Sequence, residues 1–369
     1  MRIAIDVRLT HYTSGGISAY ERALATKMPA LDLDNEYLLL HSRKAKKALP
    51  APANTRRVSC WTPAHHRLER WILAGEILPH RPRLLHIPDF IPPQSVGWRT
   101  IITIHDLTFL HYPEFLTADS RRFYNRQIES AVQRADAILA DSEATRKDIL
   151  KLLSVPPEKV STVHLAQDAR FTPQEETRIE AMRSQLELPH DYILFVGTFE
   201  PRKNVNGLLD AYAQLRSRHS GTPPLILAGN PGWLFDETLA LVERLDLGDT
   251  VRFLESFPTE DLPALYSGAS VFVLPSHYEG FGLPVLEAMA CGTVCVIANR
   301  ASLPEIAGEA ALRCDPNDTD SIVDSLERAL ADSALRTDLR ERGFARAREF
   351  NWEKCCNKTL AVYRSVLAD

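Results

Sequence analysis

The chain has 369 residues, 45% of them hydrophobic and 25% charged, with a net charge of −5. That length suits two domains rather than one core, and the composition is that of a globular protein. No run of about 18 uncharged apolar residues occurs, so neither a transmembrane helix nor, with this acidic balance, a nucleic-acid partner is expected.

The N-terminus, Arg2–Val7, reads as a β-strand. It has no long apolar segment and no small-residue cleavage site, so no secretory signal is expected. "TSGGISAY" (Thr13–Tyr20) follows, with Gly15 and Gly16 before an amphipathic helix, Ile17–Met28. Such a turn either brings backbone N–H groups close to an anion or is a plain loop. A strand at Glu36–His41 leads into residues 41–83, which carry ten Lys/Arg against Glu69 and Glu76. The run is either a solvated face or, given the interleaved Trp61 and Trp71, a contact for an anionic membrane surface. At such a surface each cation is worth about 1 kcal/mol.

Strands at Leu84–Ile87 and Thr100–Ile104 come next. The second ends in His105-Asp106, where the histidine is either a structural hydrogen-bonding group or a cleft residue. A helix at Arg121–Arg134, a strand at Ala137–Ala140 and a helix at Ala144–Leu153 complete the first half. An irregular stretch near Gln167–Pro173 reads as a linker. Beyond it strands at Tyr192–Val196, Pro224–Ala228, Val251–Phe253, Val271–Leu274, Val294–Ile297 and Ala311–Cys314 alternate with helices at Val205–Arg216, Leu239–Leu245, Pro284–Ala290 and Thr319–Ala331. Alternating β and α units with Val/Ile-rich strands predict an α/β protein of two doubly wound parallel sheets. Ligands of such sheets bind beyond the carboxyl ends of the strands. The six cysteines form no CxxC pair and no zinc-like cluster with histidine, so free thiols in a reducing, cytoplasmic compartment are expected.

Two strand-end loops carry the most chemistry. In "VGTFEPRKNV" (Val196–Val205), Arg202 and Lys203 precede a helix. A planar donor fork beside a mobile point charge suits a diphosphate. In "HYEGFGLPVLEA" (277–288), Gly280, Phe281, Gly282 and Leu283 form a turn into a helix with Pro284 in its first turn. Their backbone N–H groups face an oxyanion there. Glu287 lies one turn beyond Leu283 and can accept two hydroxyls of a ribose diol; Glu279 sits in the loop. The plainer readings are a solvated helix acid for Glu287 and a favourable helix-terminal charge for Glu279.

The spacing Glu279-x7-Glu287 within "EGFGLPVLEAMACGT" resembles the retaining glycosyltransferases of the GT-B fold, family four. "GGISAY", "HD", "VGTFEPRKN", "ILAG", "SLPEIAGEAAL" and "FNWEKCCNKTLAVY" add to a likeness covering almost the whole chain. It implies two Rossmann-like domains facing across a cleft. Residues 1–170 would bind the acceptor, 171–351 would bind a nucleoside-diphosphate sugar, and a terminal helix, 352–369, would pack back on the first domain. By the same resemblance, Arg202 and Lys203 neutralise the diphosphate, Glu287 grips the ribose, and Glu279 faces the transferred sugar. Gly280–Leu283 contact sugar and phosphate, Gly15 and Gly16 close over the diphosphate, and His105 lies near the reacting carbon. His105, Arg202, Lys203 and Glu279 are thus the expected catalytic residues. No metal or other cofactor is expected.

Two departures touch loop geometry: Ile17-Ser18-Ala19 where relatives often have a second glycine, and Thr293 in place of a common proline. "LLHIPDFIPP" and "TIHDLTFLHYPEF" look most like mannosyltransferases using GDP-mannose in polysaccharide or lipid-linked saccharide assembly. A UDP-sugar donor, a sugar-nucleotide epimerase and a non-catalytic nucleotide-sugar binder are the alternatives.

Overall fold

The computed structural model describes residues 1–368 except 13, 14, 47, 48, 51, 116, 117, 233, 234 and 256, and leaves the side chains of 115, 118–123 and 126 undescribed. Thr13 of the first glycine motif and Lys47 of the basic run therefore lie outside the described residues. The chain divides into two compact units, Met1–Ala166 with Asn351–Asp369, and Gln167–Phe350.

The first unit is built on seven parallel strands: β1 (Arg2–Asp6), β2 (Glu36–Ser42), β3 (Thr55–Cys60), β4 (Leu84–Ile87), β5 (Arg99–Ile104), β6 (Ala137–Ala140) and β7 (Val160–Thr162). Their order is β3-β2-β1-β4-β5-β6-β7. β4 and β6 are buried along their whole length, which is why they read as unbroken apolar runs. Helices cover both faces of a parallel sheet, so each Leu or Ile there contributes roughly 1.5–3 kcal/mol by leaving water.

β3 and β7 are not among the strands expected from sequence. Both are edge strands. β3 carries Arg56 and Arg57 within the basic run, and charge along an exposed edge guards it against pairing with another chain. β7 has three residues, too few for a pattern. The helix Trp352–Ala368 packs against the helix Gly16–Leu31 of this unit. Tyr363 Oη lies 2.7 Å from Nδ1 of fully buried His86.

The second unit has six parallel strands: β8 (Ile193–Val196), β9 (Leu225–Ala228), β10 (Val251–Leu254), β11 (Val271–Leu274), β12 (Cys295–Ala298) and β13 (Ala311–Cys314). Their order is β10-β9-β8-β11-β12-β13. The chain reverses its winding between β8 and β11, the place where doubly wound sheets open a crevice. β8 and β9 end in Gly197 and Gly229. A Cβ on Gly229 would sit 1.9 Å from the Gly197 carbonyl oxygen, so only glycine permits this approach. A seventeen-residue helix at Ser333–Glu349, not among the helices expected from sequence, packs on the helix Leu283–Ala290.

All six cysteines are free and buried. Burial pushes the thiols up, to about 12 for Cys60 and Cys291, so they stay protonated and inert.

Candidate functional site

The loops after β8 and β11, neighbours at the switch point of the second unit, are stitched together. His277 N donates to Arg202 O at 2.8 Å, and Arg202 Nη1 lies 3.4 Å from Tyr278 O. Asn204, in the left-handed region at φ 58°, turns the chain into the helix Val205–Arg218. Its side-chain amide donates to Pro275 O at 3.1 Å and Pro316 O at 2.7 Å. Asparagine tolerates that backbone conformation better than most residues.

Glu279 lies at the centre of this site and is 6% exposed. Lys203 Nζ donates to its Oε1 at 2.6 Å, Arg202 Nη1 to its Oε2 at 3.0 Å, and Ser276 Oγ to Oε1 at 2.8 Å. Burial alone would raise the Glu279 carboxyl, but Lys203 and Arg202 hold it down to about 2. Arg202 Nε also donates to Glu200 Oε2 at 3.0 Å. Two cations and two carboxylates balance, as buried charges must. Burial and the adjacent Arg202 pull Lys203 below the usual lysine range, against the attraction of Glu279.

The glycine turn between the glutamates is held from behind. Ser302 Oγ lies 2.8 Å from both Glu279 O and Phe281 O. Gly282, at φ 104°, is the N-cap of the helix Leu283–Ala290, and Pro284 occupies its first turn. The backbone conformation demands glycine, and a Cβ there would also meet Leu303 Cδ2 at 2.7 Å.

Glu287, on the same helix, is half-buried. Tyr266 Oη donates to its Oε2 at 2.9 Å. Burial pushes its carboxyl up to about 7, against the pull of Tyr266 and Arg170. Thr293, the departure noted in the sequence, supports this pair. Its hydroxyl donates to Tyr266 O at 2.6 Å, and its N–H to Ala288 O at 2.9 Å closes the helix.

In the first unit, Gly15 is the exposed N-cap of Gly16–Leu31, and a Cβ on it would meet nothing within 4 Å. No neighbour in the protein requires glycine there. His105 follows β5. Its Nδ1 lies 2.6 Å from Asp141 Oδ2 and its Nε2 3.0 Å from Pro88 O. Burial would lower this imidazole, but Asp141 raises it to about 9. Both ring nitrogens are thus engaged, and the pair favours the protonated ring.

Residues 178–346 match the family "Glycosyl transferases group 1", and residues 14–170 match "Glycosyltransferase Family 4". O-antigen chain mannosyltransferase B of Escherichia coli is 37% identical over 301 residues, 81% of this chain and 78% of that protein. The chain belongs to the family 4, group 1 glycosyltransferases. The serotype-specific mannosyltransferase WbdA of Escherichia coli is 32% identical over 284 residues; that match covers 75% of this chain and 35% of WbdA. Among solved structures, sucrose-phosphate synthase from Thermosynechococcus elongatus aligns with a TM-score of 0.80 at 22% identity, over 100% of this chain and 99% of that one. WaaG, a glycosyltransferase involved in lipopolysaccharide biosynthesis, aligns at 0.76 and 16% identity, over 98% and 99%. The fold is GT-B.

In this glycosyltransferase, Arg202, Lys203, Glu279 and the Gly280–Leu283 turn come together around one cluster. Gly15, Gly16 and His105 belong to the other unit. Sequence reasoning missed Glu200, Ser276, Ser302, Tyr266 and Asp141. Ser276 and Glu200 were within reach, being two or three residues from the motif carboxylate and cation. Tyr266, Ser302 and Asp141 are brought in only by the fold. One further acidic group, Glu176 and Glu180 with His190, is exposed. Arg183 already pairs with both glutamates, at 3.1 and 2.6 Å, so an ion pair accounts for it. Among the described residues no helix is long and apolar enough to cross a membrane.

Proposed function

We propose that the enzyme transfers mannose from GDP-mannose to a hydroxyl of a glycan or lipid-linked saccharide, with retention of configuration. The observation that carries the donor half is the buried Arg202–Lys203–Glu279 cluster at the switch point, 2.6 and 3.0 Å across its ion pairs, beside a glycine-capped helix N-terminus. A diphosphate satisfies those cations and competes with Glu279 for them. Glu279 then turns toward the hexose, Gly280–Leu283 line the phosphates, and Glu287 accepts the ribose hydroxyls. Gly15 and Gly16 leave room for a ligand to approach the first unit's helix terminus. The mannosyl preference rests on likeness to O-antigen chain mannosyltransferase B.

Glu279 is a poor nucleophile in this arrangement: three donors occupy it and its carboxyl is held down to about 2. Front-side substitution fits better. The acceptor oxygen bonds to the anomeric carbon as the bond to the phosphate oxygen breaks on the same face. The departing phosphate takes the hydroxyl proton. Arg202 and Lys203 stabilise the charge growing on the diphosphate. His105, held by Asp141 and Pro88, is assigned the place near the reacting carbon that the family resemblance gives it. Two side-chain cations and a helix terminus suffice for the leaving group, so activity is expected to survive EDTA.

Trp61 and Trp71 are 69% and 60% exposed, with the guanidinium carbons of Arg43 and Arg70 at 4.1 and 5.0 Å from their ring centroids. Exposed Leu68 and Ile72 lie beside them in sequence. These support peripheral contact with an anionic membrane face in the cytoplasm, where a lipid-linked acceptor resides. Flotation with vesicles lacking or containing anionic lipid tests it; equal flotation refutes it.

The transfer reading is tested by thermal stabilisation with GDP-mannose, UDP-glucose, GDP and UDP, followed by product analysis. Stabilisation by uridine nucleotides alone assigns a UDP-sugar donor. Epimerised sugar nucleotide with no transfer product assigns an epimerase. Binding without turnover leaves a nucleotide-sugar binder.

A further inference from the structure

The first unit also has a switch point, between β1 and β4, and its strand ends carry ionisable groups that the donor chemistry does not use. Fully buried Arg8 pairs with Asp6 at 2.7 Å and with Glu69. Glu21 is 1% exposed beside them, accepting from Thr10 N at 2.9 Å. Glu69 Oε2 is buried with no partner among the described residues. Asp89, two residues past β4, is 9% exposed; its Oδ1 accepts from Phe90 N at 2.7 Å and its Oδ2 lies 2.6 Å from His65 Nε2.

We propose that His65, oriented by Asp89, is a binding group for a hydroxyl of the acceptor saccharide. The inference rests on the transfer reading and extends it to the acceptor. With Nε2 engaged by the carboxylate, Nδ1 is the ring nitrogen left to bond a ligand: it accepts from a hydroxyl when the ring is neutral and donates to one when the ring is protonated, a form that Asp89 favours against burial. Nδ1 has no partner among the described residues, and the side chain is 36% exposed. The other two histidines at these strand ends differ. His86 uses both ring nitrogens, with Tyr363 and Thr103, and His105 uses both, with Asp141 and Pro88.

The pair is not needed to tether its loop. Arg8 Nη1 already donates to Thr62 O at 2.9 Å, and Glu76 accepts from the N–H groups of Trp61 at 2.6 Å and Thr62 at 3.0 Å. His65 is nevertheless held at φ 62°, a left-handed conformation that costs a non-glycine residue about 1 kcal/mol or more. Strain kept where no tether is required points to the ring's placement as its purpose. The charge decides the ligand class. Asp6 and Asp89 pair with Arg8 and His65, and burial pushes Glu21 and Glu69 up toward their neutral forms, so these groups hold no excess positive charge for a phosphate and favour a neutral polyhydroxyl such as a sugar.

Two substitutions test this while respecting the backbone: His65→Gly, which relieves the strain, and His65→Asn, which tolerates it. With GDP-mannose as donor and methyl mannoside or mannobiose as acceptor, both variants should raise the acceptor KM at least tenfold. The ratio of transfer to donor hydrolysis should fall by a similar factor. Asp89→Asn, which still offers an oxygen to Nε2–H, should give a smaller rise. Stabilisation by GDP checks that each variant is folded. An acceptor KM within twofold of wild type in folded His65→Gly overturns the proposal. So does an equal loss of transfer and donor hydrolysis, which marks a structural residue. Wild-type protein that binds GDP yet transfers to neither acceptor counts against the transfer reading itself, and the inference falls with it.

Discussion

The two sheets share a strand order and a switch point but arm their carboxyl edges with opposite chemistry. In the second unit, Arg202 and Lys203 meet Glu279 and Glu200 in a balanced cluster. In the first, Asp6, Asp89 and Asp141 stand at the ends of β1, β4 and β6 against Arg8, His65 and His105, with buried Glu21 and Glu69 near Arg8. Topology therefore fixes where a site opens and leaves its sign of charge to a few loop residues. On the proposed function, the anionic donor is assigned to the second unit's arrangement and a neutral acceptor to the first unit's.

The sharpest break of this comparison is Arg8→Ala. It strands Asp6 and Glu69 as buried carboxylates and should cost about 3–5 kcal/mol, read by urea unfolding; a loss under 1 kcal/mol would show that water reaches the pair. In the second unit, Arg202→Ala and Lys203→Ala should each lower turnover by about 10²–10³, the effect of losing one donor to the developing charge. Near-normal kcat in both would remove the diphosphate from this cluster. Glu279→Gln should do two things at once: reduce transfer and tighten GDP by about tenfold, because the internal competitor for both cations loses its charge (calorimetry reads the second). Weaker GDP binding would mean that Glu279 organises the cations rather than competing for them.

Two smaller effects concern protonation. Glu287 is held up to about 7 by burial, and in the proposed ribose contact it can accept two hydroxyls only as a carboxylate. Below that pH it is protonated and offers one fewer acceptor. GDP affinity should therefore rise severalfold between pH 6 and pH 8, and Glu287→Gln should flatten the profile at the weak end; a flat wild-type profile rejects the ribose assignment. Because this pKa lies above the usual glutamate range, ionising Glu287 costs stability, and the unliganded fold should lose stability as pH rises toward 7. His105, raised to about 9 chiefly by Asp141 against burial, should titrate lower in Asp141→Asn, where burial is opposed only by the Pro88 carbonyl and Asp89. Nuclear magnetic resonance of the ring protons reads this directly.

All strands except β3 and β7 are legible in the sequence, because parallel strands covered on both faces must be continuous apolar runs. The edge strands are not, since half their surface is free to be polar. The motif residues at strand ends are legible for a related reason: glycines and cations there are set by local backbone geometry. Their partners are not. Lys203 finds Glu279 76 residues away, and His105 finds Asp141 36 residues away. The sequence reading placed Arg202 and Lys203 on a ligand diphosphate and left Glu279 to the sugar. In the folded chain the three are bonded to one another.

Sequence alone determined the two α/β units and the positions where glycine, arginine, lysine and glutamate must sit, because hydrophobic periodicity and turn chemistry act over a few residues. The tertiary structure decided which charges neutralise each other and where burial pushes a carboxyl up, as at Glu287. It also decided that His86 and His105 use both ring nitrogens. Those outcomes depend on strand order and burial, and both arise only when distant segments of the chain are packed side by side.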